Sequence, residues 1–241
     1  MRALILAAGT ASRLRPLTDN RPKCLLKVGD KCFLERAIEA LLANQVNDIA
    51  IVTGFLREQI EHLVSEKFPD LGVEYIHNEQ YSSTNNIYSL WLAKASVGTR
   101  DFLLLDSDIL FDQALITLLL ADDSPDSLAL NRHPLGEEEM KVVVDADGRV
   151  TEISKTCRLD TAAGESIGIE KISAAYAQSL FKELDVMIEE EKQVNLFYEH
   201  AFERLILKGQ TFKAVDTTAI FSMEIDTVED YIEAQTKRKW M

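Results

Sequence analysis

The first 23 residues constrain this chain most. Met1-Arg-Ala-Leu-Ile-Leu-Ala-Ala-Gly9 is an apolar run that ends in small residues, and it leads through Thr10-Ala-Ser-Arg-Leu-Arg-Pro-Leu-Thr18 into Arg21-Pro22-Lys23. A first strand that finishes on Ala7, Ala8 and Gly9 lets backbone N–H groups approach a polyphosphate, while Arg13 and Lys23 supply charge that neutralises it. Two other phosphate loops are excluded. The dinucleotide fingerprint requires G-x-G-x-x-G and the P-loop requires G-x-x-x-x-G-K-[ST], and the stretch from Gly9 to Lys23 contains neither.

Downstream, apolar runs alternate with amphipathic stretches. Strands are predicted at Ala3–Leu6, Ile49–Thr53, Val73–Ile76 and Phe102–Leu105, and helices at Phe33–Leu42, Arg57–Ser65 and Ile87–Ala93. This alternation predicts an α/β fold with a mainly parallel, doubly wound sheet, whose ligands lie beyond the C-terminal ends of the strands. From about residue 125 the pattern changes to strand pairs. Lys141–Val144 and Val150–Ile153 flank the turn Asp145-Ala-Asp-Gly148, and helices are predicted at Ala174–Glu191, Leu196–Leu207 and Val228–Lys237. With 241 residues, no repeat and no Pro- or Gly-rich linker, the chain predicts a single domain.

Charge narrows the partners. Forty acidic against 26 basic side chains give a net charge of −14, which opposes non-specific binding to nucleic acid or to an anionic membrane. A polyanionic substrate must then be met by a local cationic pocket. The sequence has no apolar run long enough for a membrane span, and residues 1–9 begin a strand pattern without a signal-peptide cleavage site. A cytoplasmic location is expected. Cys24, Cys32 and Cys157 are odd in number and lack metal-ligand spacing, so they read as reduced thiols.

Two acidic motifs complement the cationic loop. The apolar strand Phe102–Leu105 runs into Asp106-Ser107-Asp108, and Phe221-Ser-Met-Glu-Ile-Asp226 places Glu224 and Asp226 on one side of a short extended segment. Carboxylates at i and i+2 offer hard oxygen ligands to Mg²⁺, though Asp also initiates turns and Asp226 stands where a helix N-cap would. If Asp108, Glu224 and Asp226 converge, they form an anionic pocket facing the phosphate grip, with a cation between them. A third segment, Asn78-Glu-Gln-Tyr-Ser-Ser-Thr-Asn85-Asn86-Ile-Tyr-Ser89, is dense in amides and hydroxyls. Such groups read a base edge, and they are also the favoured turn and N-cap residues.

Taken together, L-A-A-G-x-x-x-R-L, R-P-K-C-L, V-T-G-F at 52–55, the D-x-D and M-E-I-D-T-V-E-D-Y resemble the sugar-phosphate nucleotidyltransferase superfamily over essentially the whole chain. The likeness is to its bacterial phosphocholine and 2-aminoethylphosphonate cytidylyltransferases, with inositol-phosphate cytidylyltransferases as relatives. It implies a Rossmann-like doubly wound mixed sheet of the nucleotide-diphospho-sugar transferase type. Residues 1–125 would mainly bind the nucleotide and 126–241 mainly the acceptor. It also implies an Mg²⁺-dependent transfer from CTP to a small phosphorylated or phosphonylated acceptor. Leu6, Ala7, Ala8, Gly9, Arg13, Lys23 and Asp106 would lie along the nucleotide, Asn78, Asn85 and Ser89 near the cytosine, and Asp108, Glu224 and Asp226 on metal. Lys23 and Arg13 would stabilise charge on the α-phosphate and the leaving pyrophosphate. One departure is Ala11, where the family's loop usually has a second glycine and the backbone is expected to curve differently.

The resemblance places the acceptor near Met140, Lys141, Lys155, Glu165, Gly168, Tyr198 and Glu199. Phe197, Tyr198 and Glu199 resemble an aromatic-acidic segment that binds choline, although aromatics on a helix face are commonly core. Met140 replaces a pocket Trp, which leaves both quaternary and primary ammonium acceptors open. Lys155 would hold the acceptor's phosphate or phosphonate, or be a solvated strand-end lysine. A sugar-1-phosphate or inositol-phosphate nucleotidyltransferase and a non-catalytic nucleotide-binding regulatory subunit are the alternatives. No nucleic-acid or membrane partner is expected, and a homodimer is left open.

Overall fold

The computed structural model describes residues 1–237. Its first half follows the predicted alternation: β1 (Arg2–Ala7), a hairpin of β2 (Lys27–Val28) and β3 (Lys31–Cys32), α1 (Phe33–Ala43), β4 (Asp48–Thr53), α2 (Arg57–Lys67), β5 (Val73–His77), α3 (Asn86–Leu92), α4 (Lys94–Val97) and β6 (Phe102–Asp106). There follow β7 (Ile109–Phe111), α5 (Ala114–Ala121), β8 (Ser127–Asn131), β9 (Lys141–Val144), β10 (Val150–Ser154), β11 (Gly164–Ile172) and α6 (Ala174–Asp185). The chain ends with α7 (Glu199–Leu207), β12 (Lys213–Asp216), β13 (Ser222–Glu224) and α8 (Val228–Thr236). Among the described residues, no helix is long and apolar enough to cross a membrane, and all three thiols are free and buried.

The main sheet has nine strands, in the order β10-β9-β11-β6-β1-β4-β5, with β8 alongside β11 and β12 alongside β8. β5, β4, β1 and β6 are parallel, and β11 then runs antiparallel to β6, β8 and β9. The sheet is therefore mixed. Because strand side chains alternate faces, β1 feeds two cores. Leu4 and Leu6 join Val52 and Leu104 under α3, α6 and α7, while Ala3, Ile5 and Ala7 join Ile51 and Leu105 under α1, α2 and α5. Two helix boundaries depart from the sequence expectation. The helix begun at Ala174 ends at Asp185 and widens into a π-type turn closed by Glu191 N–H to the Val186 carbonyl (3.0 Å), and α7 starts at Glu199 rather than Leu196.

A third, smaller cluster lies off the sheet edge. Leu14, Leu26, Val28, Phe33, Leu110, Ile225 and Ala234 are buried together, so the cationic loop, the β2–β3 hairpin, β7 and α8 share one apolar anchor. Beside it, the end of β4 is pressed against the end of β1. Phe55 N–H donates to the Ala8 carbonyl at 3.0 Å, and a Cβ on Gly54 would stand 2.6 Å from that same oxygen. Gly54 is thus the residue of V-T-G-F that the fold requires to lack a side chain. Gly54→Ala should destabilise the fold by about 1–3 kcal/mol through overpacking, at about 2–4 °C per kcal/mol for a domain of this size. Gly72→Ala, whose Cβ would meet nothing within 4 Å, is the control. Equal melting temperatures for the two variants would contradict the close approach.

Candidate active site

The cationic loop is fixed by its own backbone. Ala11 adopts the left-handed conformation (φ 47°, ψ 52°), and its carbonyl accepts from Leu14 N–H (3.1 Å) and the Thr18 hydroxyl (2.8 Å). The alanine therefore takes up a conformation that glycine adopts freely, at about 1–2 kcal/mol of strain, instead of leaving that region of backbone space. Lys23 opens a single helical turn, Lys23–Leu25, directly after Pro22.

The two acidic motifs converge on that loop. β13 pairs antiparallel with β7, setting Glu224 opposite Ile109, and Ile225 N–H donates to the Asp108 carbonyl at 3.1 Å. Carboxylate oxygens of Asp108, Glu224 and Asp226 consequently lie within 4.8 Å of one another. The Lys23 ammonium stands among them and donates to Asp108 Oδ2 and Asp226 Oδ1, each at 2.7 Å, while Arg13 Nη2 donates to Asp226 Oδ2 at 2.6 Å. Burial alone would lower the Lys23 pKa, but Asp108 and Asp226 outweigh it and raise it. Burial likewise works to raise the Asp226 carboxyl, and Lys23 and Arg13 overcome this and hold it below its ordinary range. Glu224 is reached by water yet ringed by protein, and it is pushed up to about 8 by lost solvation and by repulsion from Asp108 and Asp226.

Asp226 is not the cap of α8. Thr227 is: its hydroxyl accepts from Asp230 N–H (3.1 Å), and the Asp230 carboxylate accepts from the N–H groups of Thr227 (2.7 Å) and Asp226 (3.0 Å). The Asp226 side chain is free to face Lys23. Asp108 Oδ1 is buried without a hydrogen-bond partner. Three hard oxygen donors around one point, one of them unsatisfied, fit a divalent cation such as Mg²⁺.

This ionic cluster forms one end of a cavity of about 290 Å³. Leu6 to Gly9, Asp106, Asn78, Asn85 and Ser89 line it, as the sequence anticipates, and so do Met140, Lys155, Gly168 and Glu199. The amides have local work as well. Both N–H groups of Asn78 are spent, on Thr84 and Ser89 at 3.1 Å each, and its oxygen accepts from Gln80 N–H at 2.9 Å. Asn85 caps α3 through Asn86 N–H at 2.8 Å. These side chains shape the wall, Asn78 with its whole amide and Asn85 with its oxygen.

On the acceptor side three expectations are corrected. Tyr198 is fully buried and points inward, donating to Asp106 Oδ2 at 3.1 Å with Glu170 Oε2 3.5 Å away. Its neighbour Phe197 faces the cavity instead. Lys141 is buried, and its ammonium is spent on the carbonyls of Lys155 (2.7 Å), Glu137 (3.1 Å) and Glu139 (3.4 Å), pinning the rim of the cavity. Glu165 turns to His133 Nε2 at 2.8 Å and does not line the cavity. Glu138, Tyr81 and Glu170 went unnoticed in the sequence. Glu138 lies in an acidic run that reads as a solvated loop, and Glu170 in a strand too polar to announce itself. Burial, with repulsion from neighbouring acids, raises the carboxyls of Asp106 and Glu170 well above their ordinary range.

Glu199 is also buried, with Oε2 lacking any hydrogen-bond partner. Burial is the main cause that pushes its carboxyl up from 4.5 to about 7, against the opposing pull of Lys155. Between those two values the folded protein holds the proton more tightly than the unfolded chain, so stability falls as pH rises and the full cost is reached above about pH 7. Glu199→Gln should therefore melt at a higher temperature than the parent near pH 8, by a free energy on the order of 3 kcal/mol. The gap should nearly close near pH 5. A gap that is constant with pH would show that the carboxyl is not held neutral.

Comparison with known proteins agrees with this geometry. Residues 3–202 match the family model of the MobA-like NTP transferase domain. The choline-phosphate cytidylyltransferase of Streptococcus pneumoniae is 31% identical over 235 residues, covering 96% of this chain and 95% of that protein. A 2-aminoethylphosphonate cytidylyltransferase of Lancefieldella rimae is 38% identical over 91 residues, 38% of this chain and 36% of its own length. The solved CTP:phosphocholine cytidylyltransferase from Streptococcus pneumoniae superposes with a TM-score of 0.81 at 28% identity, covering 98% of this chain and 97% of that one. The chain belongs to the family with the MobA-like NTP transferase domain.

Proposed function

We propose that the protein is a cytidylyltransferase that moves the cytidylyl group of CTP onto the phosphate or phosphonate of a small amino alcohol and releases pyrophosphate. The observation that carries this reading is one cavity with two chemically distinct ends. Arg13, Lys23, Asp108, Glu224 and Asp226 are knotted at one end, and Phe197 and Glu199 line the other. The names and coverage of the relatives support it. A sugar 1-phosphate carries no cation, whereas the aromatic ring of Phe197 and the carboxylates of Glu138 and Glu199 suit a cationic group on the acceptor. A silent nucleotide-binding subunit would have no chemical need for two cations and three carboxylates together.

In this reading an oxygen of the acceptor attacks the α-phosphorus in line. One P–O bond forms, the bond to the pyrophosphate oxygen breaks, and no protein nucleophile takes part. Catalysis is then positioning and charge stabilisation. Lys23 would exchange its carboxylate partners for the α-phosphate, and Arg13, more exposed at the mouth, would meet the departing pyrophosphate. Ala8 and Gly9, which line the cavity, would present backbone N–H groups to the triphosphate. Asp108, Glu224 and Asp226 would hold Mg²⁺, which when bound supplies positive charge beside the reacting phosphate.

Pyrophosphate release should thus require CTP and an amino-alcohol phosphate or phosphonate together, with sugar 1-phosphates and other nucleoside triphosphates giving little. Turnover with sugar 1-phosphates alone would refute the acceptor class. Chelation should abolish turnover, and excess Mg²⁺ should restore it. Asp108→Asn should lower kcat by about a hundredfold or more with the circular dichroism spectrum unchanged, and near-parental Mg²⁺-dependent activity would remove Asp108 from the site.

A further inference from the structure

The far end of the cavity already holds a cation. The Lys155 ammonium lies 5.0 Å from the centroid of the Phe197 ring and 3.6 Å from Glu138 Oε2. Glu199, only 6% exposed, lines the same space with its Oε2 unpartnered. We propose that Phe197, Glu199 and Glu138 form a seat for a primary ammonium group of the acceptor, and that Lys155 occupies this seat until the acceptor displaces it. This rests on the cytidylyltransferase reading above and narrows its substrate to primary amines.

The chemistry of the walls makes the choice. A quaternary ammonium has no N–H donor and is held by aromatic faces; here Tyr198 is turned inward, Met140 contributes no ring, and Tyr81, the other ring in the cavity wall, packs on Phe55 beside Gly54, which leaves Phe197 next to Glu199. A primary ammonium carries three donors and answers an aromatic face together with the otherwise unpartnered Glu199 Oε2 and the exposed Glu138 carboxylate at the rim. Lys155 is itself a primary alkylammonium, so the seat admits that group in size and polarity. Burial works to neutralise Glu199 while Lys155 favours its charged form, in keeping with a carboxylate built to face a cation. The Lys155 backbone is fixed, because its carbonyl accepts from Lys141, yet its side chain is 32% exposed and has room to leave. Displacement frees that ammonium for the acceptor's anionic end, the role the sequence suggests for it.

The test is kcat/KM with CTP for phosphoethanolamine and its N-methyl, N,N-dimethyl and N,N,N-trimethyl derivatives. The expected profile falls with each methyl, by about tenfold or more from the primary to the quaternary amine, mainly through KM. Glu199→Gln should flatten the profile while CTP binding, measured by titration calorimetry, stays at the parental value. A parental profile that is flat or rises with methylation would overturn the proposal, as would a Glu199→Gln profile unchanged from the parent. If no amine in the series releases pyrophosphate while a sugar 1-phosphate does, the cytidylyltransferase reading falls as well, and the two failures are told apart by which acceptor turns over.

Discussion

One ion cluster organises this molecule: the Lys23 ammonium clamped between Asp108 and Asp226. Those three residues come from three separate stretches of the chain, and none of them is close to another in sequence. Breaking a fully buried pair costs about 3–5 kcal/mol, because the partner is left charged and unpaired, and that is the upper end for this part-buried cluster. Here the loss of Lys23 would leave Asp108, Glu224 and Asp226 facing one another, with Arg13 reaching Asp226 alone. The cluster is therefore held together by a charge that a substrate or a metal ion has to replace before Lys23 can move.

The fold serves that clamp. A parallel sheet places the ends of β1 and β6 side by side, which brings Gly9 and Asp108 near each other, but it supplies no third wall. The two-stranded ribbon of β7 and β13 provides it, carrying Glu224 to Asp108 through main-chain pairing. The small apolar cluster of Leu14, Phe33, Leu110 and Ile225 then fixes the cationic loop to the ribbon. Ile225 shows the economy of the strand period: its side chain is buried in the anchor while Glu224 and Asp226 on either side face the cleft.

What was legible in the sequence follows from this arrangement. Arg13, Lys23, Asp108, Glu224 and Asp226 could be read because charged side chains at the ends of apolar runs have few structural uses, and the parallel half could be read because β1, β4 and β6 are continuous apolar strands. The antiparallel half was less visible. β11 buries Glu170 and Lys171 and contains two glycines, so its composition imitates a loop. Tyr198 and Phe197 are equally plausible cavity residues in one dimension, and only the packing of α7 decides which faces the cavity. Lys141 and Lys155 were likewise indistinguishable until the backbone placed one ammonium among carbonyls and the other over an aromatic ring. Asp226 stands where a helix cap would in one dimension, and the structure gives that role to Thr227, one residue later, leaving the Asp226 side chain to Lys23 and Arg13.

The two ends of the cavity are electrostatically unlike, and this bears on orientation as much as on affinity. At the nucleotide end each cation is matched to carboxylates, so an incoming phosphate competes for groups that are already charged and already aimed. At the acceptor end Asp106, Glu170 and Glu199 are held out of water with their carboxyls pushed up by burial, Asp106 and Glu170 meeting on the Tyr198 hydroxyl and Glu199 Oε2 unpartnered, while Glu138 stands exposed at the rim. Because Tyr198 lies between Phe197 and Glu199 in the chain and touches Asp106, this wall is bonded to the last residue of β6, two residues before Asp108. An acceptor with an anion at one end and an ammonium at the other has one favourable direction in such a cavity, with its anion toward Lys23 and its ammonium toward Glu199. In the proposed reaction that direction would present the attacking oxygen to the α-phosphate, so that the pocket's charge asymmetry would supply the alignment that in-line transfer requires.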